Sequence, residues 1–254
     1  MADSEDYNTR KAQFDRLLTL YGRKPVLEAL QSSQITPQRL HLSNRNKPAA
    51  ILEEIISLAE KRGAEIRYHA PLALSRISRN SQQDQGVAAD LLCPTHQPLD
   101  DFLDQAPQKF RLLMLDGLTN PQNLGMIIRS VAASPVHGLL FSEKDNLRIS
   151  PLVIKASAGA LFRAPLILCK SNAEALQKLS DYSATFYGMS GDSQNSLLDT
   201  EINDPSVIIL GGETQGLSKE IAQRVDHLLG IPMNRGVESL NVAVSAALAA
   251  FLPR

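Results

Sequence analysis

The sequence predicts an α/β protein in two parts: a larger domain built on a parallel sheet, and a smaller α/β domain ahead of it. Three observations carry that expectation. Beyond about residue 110, near-continuous apolar runs alternate with helical patterns, as strands buried on both faces of a parallel sheet require. Before about residue 95, shorter strands and helices alternate within a smaller span. Between them, "PTHQPLDDFLDQAPQK" has three Pro, three Asp and no sustained strand pattern, which predicts a linker. The expected boundaries are an N-terminal domain at 1–98, a linker at 99–109 and a second domain at 110–254.

In the first domain, "KPVLEALQ" reads as a helix and "QRLHLS" as a strand. "KPAAILEEIISLAEKRG" has apolar residues at helical spacing, Pro48 early and Gly63 as a C-terminal stop. "AEIRYH" and "QGVAADLLC" are further strands. In the second domain the strands are "RLLMLD", "VHGLLFS", "APLILC", "SATFYGMS", "SVIILGGE" and "HLLGIPM". The helices are "NPQNLGMIIRSVAAS", "SPLVIKASAGALF", "NAEALQKLSD", "LSKEIAQRVD" and the tail after Ser239. Sheets of this kind bind ligands outside the carboxyl ends of their strands, so the residues following each strand matter most.

Composition narrows the function. The chain is 43% apolar and 21% charged, ordinary for a globular protein, and its longest apolar stretch, Val242–Leu252, is far short of the roughly 20 residues a bilayer needs. "MADSEDYNTRKAQF" is acidic and lacks an apolar segment, so no secretory signal and a cytoplasmic location are expected. Cys93 and Cys169 are read as two buried thiols, and no metal-ligand spacing is present. The formal charge of −1 argues against a protein that simply coats nucleic acid. Its distribution is uneven: Arg10–Arg79 holds 13 Lys/Arg against 6 Asp/Glu. That segment reads either as an RNA-contacting module or as a solvated surface.

Three strand ends carry polar clusters. In "LDGLTNPQNLGMIIRS", Asn120 followed by Pro121 predicts a helix cap, with Asn123 and Arg129 on that helix. Six residues apart, these two need not meet the same atom. Arg129, among apolar neighbours, reads as a salt bridge within the chain or as a phosphate or carboxylate clamp. In "IILGGETQGLS", Gly211, Gly212 and Gly216 suit close approach to a nucleoside-sized ligand. Glu213 there disfavours a pyrophosphate; it reads as a cap or as a partner for a cationic or hydroxyl-bearing ligand. In "GIPMNRGVESLNVAVSAALAAFL", Ser239 reads as a cap of the last helix, which would put Asn241 in its first turn, or as a residue of the site; capping accounts for Asn241 less well. Five alanines between Val242 and Ala250 let another backbone pack closely.

At these three clusters the sequence resembles the SpoU branch of the SPOUT methyltransferases, the TrmH-like RNA ribose 2'-O-methyltransferases. "NPQNLGMIIRS" resembles that family's first motif, "GGETQGLS" the second and "IPMNRGVESLNVAVSAAL" the third, with "SPLVIKASAGALFRAPL" resembling the segment between the first two. The resemblance runs from about Leu112 to Leu252. The region around "YGRKPVLEAL" resembles the L30e-like RNA substrate-binding domain that many members carry. The resemblance implies a C-terminal trefoil knot, a homodimer, and S-adenosyl-L-methionine as cofactor. It also implies Asn123, Arg129, Glu213, Ser239 and Asn241 as catalytic residues. For the cofactor it implies Leu210, Gly211, Gly212, Glu213 and Gly216, then Ile231, Pro232, Met233, Ser239, Leu240 and Asn241. Where the second motif commonly reads Gly-Asn-Glu, this chain has Gly212 before Glu213.

The implied chemistry is in-line methyl transfer to a ribose 2'-oxygen. Arg129, which stays protonated, is expected to act on the phosphate or the 2'-oxygen from the partner subunit. Glu213 is expected to orient Arg129 or the nearby turn. The implied partner is RNA, with 23S-type ribosomal RNA favoured over tRNA. A nicotinamide-dependent oxidoreductase lacks support, since no G-x-G-x-x-G follows an early strand. A non-catalytic RNA-binding module and a base methyltransferase of the same superfamily remain as alternatives.

Overall fold

The computed structural model describes residues 17–33, 35–92, 96–142 and 149–253. Two compact units emerge, one of residues 1–95 with 149–155, the other of 96–148 with 156–254. Cys93 lies outside the described residues, and Cys169 is a buried free thiol.

The first unit runs β1 (Leu17–Tyr21), α1 (Arg23–Gln31), β2 (Thr36–Ser43), α2 (Ala50–Lys61), β3 (Glu65–His69), α3 (Pro71–Ser78) and β4 (Val87–Leu92). Its sheet has the order β1-β4-β2-β3, with β4 antiparallel to both neighbours and β2 parallel to β3. On α2, Leu52, Ile55 and Ala59 are buried at helical spacing, and Gly63 follows the helix at φ +72°, as its position predicts. β1 and α3 were not legible. "LLTLY" is too short to show a period, and "PLALSRIS" starts on a Pro that also reads as a turn.

The second unit is a seven-stranded sheet with the order β11-β9-β10-β6-β7-β8-β5, every neighbouring pair parallel. Its elements begin with β5 (His96–Pro98), α4 (Leu99–Leu103), β6 (Arg111–Asp116), α5 (Pro121–Ala133) and β7 (Gly138–Ser142). After α6 (Pro151–Ser157), whose residues 151–155 belong to the first unit, and a 3-10 turn (Ala160–Phe162) come β8 (Leu166–Cys169), α7 (Asn172–Ser180) and β9 (Thr185–Met189). The last elements are β10 (Ser206–Gly211), α8 (Lys219–Ala222), β11 (His227–Leu229) and α9 (Val242–Ala250). The central strands β6, β7 and β10 are buried almost throughout, which is why they read as continuous apolar runs.

The expected linker is not free chain. His96–Pro98 pairs with β8 as an edge strand, and Leu99, Phe102 and Leu103 bury one face of α4 in the sheet's core. The Asp residues between them mark that short helix's outer face. Likewise "LSKEIAQRVD" forms a single helical turn. Asp226 instead accepts from the Phe186 N–H (2.8 Å), which draws the chain out towards β11. Arg111, 2% exposed, fastens the C-terminus to the start of β6. It donates to both Asp204 carboxylate oxygens (3.1 Å each) and to the carbonyls of Leu252 (3.2 Å) and Pro253 (3.0 Å).

Candidate active site

The site lies where β6, β9 and β10 end. Asp116, the last residue of β6, is 6% exposed and accepts from the Ser218 N–H (2.7 Å) and from Asn172 Nδ2 (3.2 Å). These bonds hold the loop after β10 against the end of β6. Within that loop Gly212 and Gly216 exchange both backbone hydrogen bonds, at 3.1 and 3.0 Å, and Gly216 has φ +63°. A Cβ on Gly211 would sit 2.1 Å from the Gly216 carbonyl carbon, and one on Gly212 would sit 2.5 Å from the Gly117 oxygen. Glycine is required at both positions by backbone crowding.

The three clusters converge. Asn123, 5% exposed on α5, donates from Nδ2 to Glu213 Oε1 (2.7 Å) and accepts at Oδ1 from Asn241 Nδ2 (3.1 Å). Asn241 in turn accepts at Oδ1 from the Ala243 N–H (2.8 Å) and is the N-cap of α9. One hydrogen-bonded row thus links the helix start to the Glu213 carboxylate, and it satisfies polar groups that burial would otherwise leave unpaired.

One reading is corrected by this arrangement. Ser239 does not cap α9: the helix starts at Val242, Asn241 takes the cap, and Ser239 is exposed with no hydrogen-bond partner among the described residues. Within the chain Glu213 is engaged by Asn123, while Arg129, about 120° further round α5, is exposed and has no ion pair among the described residues. The possible salt bridge within the chain is therefore not seen.

A cavity of about 540 Å³ opens beside the row. Of the residues expected to hold a cofactor, Leu210, Gly211, Gly212, Glu213, Gly216, Ile231, Met233, Ser239, Leu240 and Asn241 line it, and Pro232 does not. Sequence reasoning missed Met189, Ser190 and Gly191, Glu238, and Val242 with Ser245. The first three directly end β9, so the carboxyl-end rule could have found them. Asn123 does not line the cavity but bonds Glu213 and Asn241, which do. Among the described residues Glu213 and Glu238 are the only charged side chains of the lining, so the cavity suits a ligand carrying positive charge.

Comparison with known proteins fits this geometry. A profile of the SpoU rRNA methylase family matches residues 111–251. The chain belongs to the SpoU rRNA methylase family. Within this SpoU methylase, residues 19–92 match a second profile, for RNA 2'-O ribose methyltransferase substrate binding. The chain is similar to the 23S rRNA (guanosine-2'-O-)-methyltransferase RlmB of Xylella fastidiosa strain Temecula1, at 31% identity over 91% of this chain and 94% of that one. It is also similar to a protein of Mycolicibacterium paratuberculosis named "Uncharacterized tRNA/rRNA methyltransferase", at 31% identity over 91% and 74% of the two chains. Among solved structures, the SpoU methyltransferase AviRb of Streptomyces viridochromogenes, in complex with AdoMet, shares the fold. Its TM-score is 0.66, at 23% identity over 95% of this chain and 90% of that one. The protein is an RNA methyltransferase of this family.

Proposed function

We propose that this SpoU methylase transfers a methyl group from S-adenosylmethionine to a ribose 2'-hydroxyl of 23S-type ribosomal RNA. The observation that carries the reading is the Glu213–Asn123–Asn241 row at the edge of the 540 Å³ cavity, which brings all three sequence clusters to one place. The RlmB relative supports the ribose and the ribosomal substrate. A tRNA substrate is the second reading, supported by the tRNA/rRNA name of the mycobacterial relative.

The cavity suits the cofactor. Its volume falls in the range of small-molecule sites, the glycines let a ligand approach the backbone, and two carboxylates complement a cation. When bound, S-adenosylmethionine supplies an electrophilic methyl group on a positively charged sulfonium. The backbone around Leu210–Gly212 and Ile231–Met233 would hold the adenosine part. Asn123 keeps Glu213 and Asn241 in fixed orientations, and Ser239, free of any capping duty, can hydrogen-bond the ribose hydroxyl. Arg129 stabilises negative charge on the phosphate or on the 2'-oxygen as it loses its proton, acting as a fixed cation.

Arg129 acts from the partner subunit of a homodimer in this reading. Support comes from the exposed apolar residues on the packed helices α5 and α9 and at the C-cap of α9: Met126 (42%), Val244 (48%) and Phe251 (54%). A single chain leaves these side chains to solvent, and association would cover them. The trefoil knot belongs to the same proposal. It is supported by the small-residue face of α9 against α5, β6 and β10, and by the Arg111 clamp on the chain end. The first unit would bind RNA, and the enzyme would work in the cytoplasm; no described helix is long and apolar enough to cross a membrane.

Calorimetric titration with S-adenosylmethionine tests the cofactor. Binding near one molecule per chain is expected, and absence of heat from the folded protein contradicts the proposal. Mixing inactive Arg129→Ala and Asn241→Ala chains tests the subunit assignment, because one intact site per heterodimer should restore partial activity.

A further inference from the structure

The first unit holds a row of buried polar side chains that methyl transfer does not use. It crosses the sheet in strand order. Thr19 Oγ1 on β1 donates to Asp90 Oδ1 on β4 (2.8 Å), Asp90 Oδ2 faces His41 Nε2 on β2 (3.1 Å), and His41 Nδ1 faces His69 Nε2 on β3 (3.0 Å). His41 is 4% and Asp90 9% exposed. Apolar residues would fill this space without the cost of removing an acid and an imidazole from water. The row ends at His69, the last residue of β3, which is half-buried, and its Nδ1 has no partner among the described residues.

That end of the sheet is basic. β1, β2 and β3 all finish there; Arg23 and Lys24 open α1 and Arg45 and Lys47 follow β2, none ion-paired among the described residues, with Arg23 Nε donating to the Gln85 carbonyl (3.2 Å). By contrast Arg39 and Arg67, along β2 and β3, are both paired with Glu65 (3.3 and 2.7 Å). Asp84, on the facing turn before β4, is buried and already accepts from the Gly86 N–H (2.9 Å) and the Ser78 hydroxyl (3.0 Å). The turns are stitched together: Asn46 Nδ2 donates to the Gly86 carbonyl (2.8 Å), and the Asn44 N–H donates to that of His69 (2.9 Å). Unpaired cations on a fixed edge suit a phosphate backbone.

Burial opposes ionisation of Asp90, but the hydrogen bonds of His41 and Thr19, with the charges of His41 and Arg39, outweigh it and hold the carboxyl below its usual range. Burial, then the neighbouring His41 and Arg67, push His69 below the usual imidazole range. The groups facing the imidazole pair are therefore Asp90, Arg39 and Arg67. With Asp90 ionised, His41 donates from Nε2. A neutral His41 then accepts at Nδ1, so His69 donates from Nε2 and its outward Nδ1 is a lone pair. One proton added to the pair leaves a single acceptor among its four ring nitrogens, at the contact the two imidazoles share, and the outward Nδ1 of His69 becomes an N–H.

We propose that this edge of the first unit grips an RNA phosphate backbone, and that the Thr19–Asp90–His41–His69 row is a proton-set contact within the grip. Deprotonated, it offers the RNA only a lone pair; carrying one proton, it offers a phosphate oxygen an N–H donor and an added positive charge. The proposal rests on the RNA reading above. The test is filter binding of end-labelled, deproteinised bacterial 23S rRNA by the full chain between pH 8 and pH 5.5. Wild-type affinity should rise on acidification, and its logarithmic salt slope should steepen by about 0.7–0.9, the signature of one more phosphate contact. His69→Gln should bind about as well at pH 8 yet lose most of the rise. In Asp90→Asn the midpoint of the rise should move down in pH, because the carboxylate favouring the proton is gone. Lys24→Glu with Arg45→Glu should weaken binding at every pH. Identical pH responses from folded wild type and His69→Gln would overturn the proton-set contact alone. Failure of the wild type to bind the RNA at any pH, with cofactor heat intact, would overturn the RNA reading as well.

Discussion

Replacing Asn123 by Asp sets the hydrogen-bonded row against itself. The side chain keeps its shape, and one carboxylate oxygen still accepts from Asn241. The other substitutes an acceptor for the donor that lies 2.7 Å from Glu213 Oε1. Two unit charges at that separation repel by about 1.5 kcal/mol in water and about 3 kcal/mol at half that dielectric constant. The lost charge-assisted bond adds about 1.5–3 kcal/mol. Glu213 is exposed and can swing into solvent, which removes the repulsion but not the loss of the bond. A net destabilisation of about 3 kcal/mol at pH 8 is expected, or roughly 6–12 °C in melting temperature for a domain of this size.

Acid should reverse the loss. Two carboxyls sharing a site hold one proton above the ordinary carboxylate range, so the pair binds that proton more tightly folded than unfolded. Its contribution is present at low pH and is lost as pH rises through the raised value. Thermal melts of wild type and Asn123→Asp from pH 8 to pH 5 should therefore show a melting gap that narrows towards acid. A gap that stays constant or widens refutes the contact between Asn123 and Glu213.

Three further outcomes follow from the same structure. Asn241→Ala should cost about 0.5–2 kcal/mol by urea denaturation because it caps α9, whereas Ser239→Ala should stay within about 0.5 kcal/mol while slowing methyl transfer in a turnover assay. Buried His96 has its imidazole pushed down to about 4 by burial, so the unfolded chain takes up a proton first and stability falls as pH drops from about 6.5 towards 4. At about 1.4 kcal/mol per pH unit that window is worth about 3 kcal/mol, and His96→Asn should flatten it in urea titrations. Gly211→Ala should abolish calorimetric cofactor binding, since its methyl group would overlap the Gly216 backbone.

The parts of the fold that sequence reading recovered are those whose burial leaves a period. β6, β7 and β10 are buried on both faces and read as continuous apolar runs, and α2 and α5 each show an apolar stripe. The edge elements left no such trace. His96–Pro98 is three residues long, with two prolines close by, and α4 has only five residues. At the site, the Gly, Glu and Asn positions were legible because polar residues directly after apolar strands are conspicuous. What was not legible is partnership. Ser239 and Asn241 both have side chains able to cap a helix, and only the start of α9 at Val242 decides between them. Nor does helical spacing tell which residue meets Glu213; the close approach of α5 to the loop after β10 selects Asn123 and leaves Arg129 facing outward.

Methyl transfer to a ribose oxygen is tested most directly with alkali, which reads that oxygen. The full protein would be incubated with deproteinised bacterial 23S rRNA and S-adenosylmethionine labelled in its methyl group, and the RNA then hydrolysed in base. Alkaline cleavage requires a free 2'-hydroxyl, so a ribose-methylated nucleotide survives joined to its 3' neighbour. The account predicts label in one such alkali-resistant dinucleotide, lost with Arg129→Ala. Label recovered in a base-methylated mononucleotide, or none in RNA from a folded, cofactor-binding protein, would contradict it.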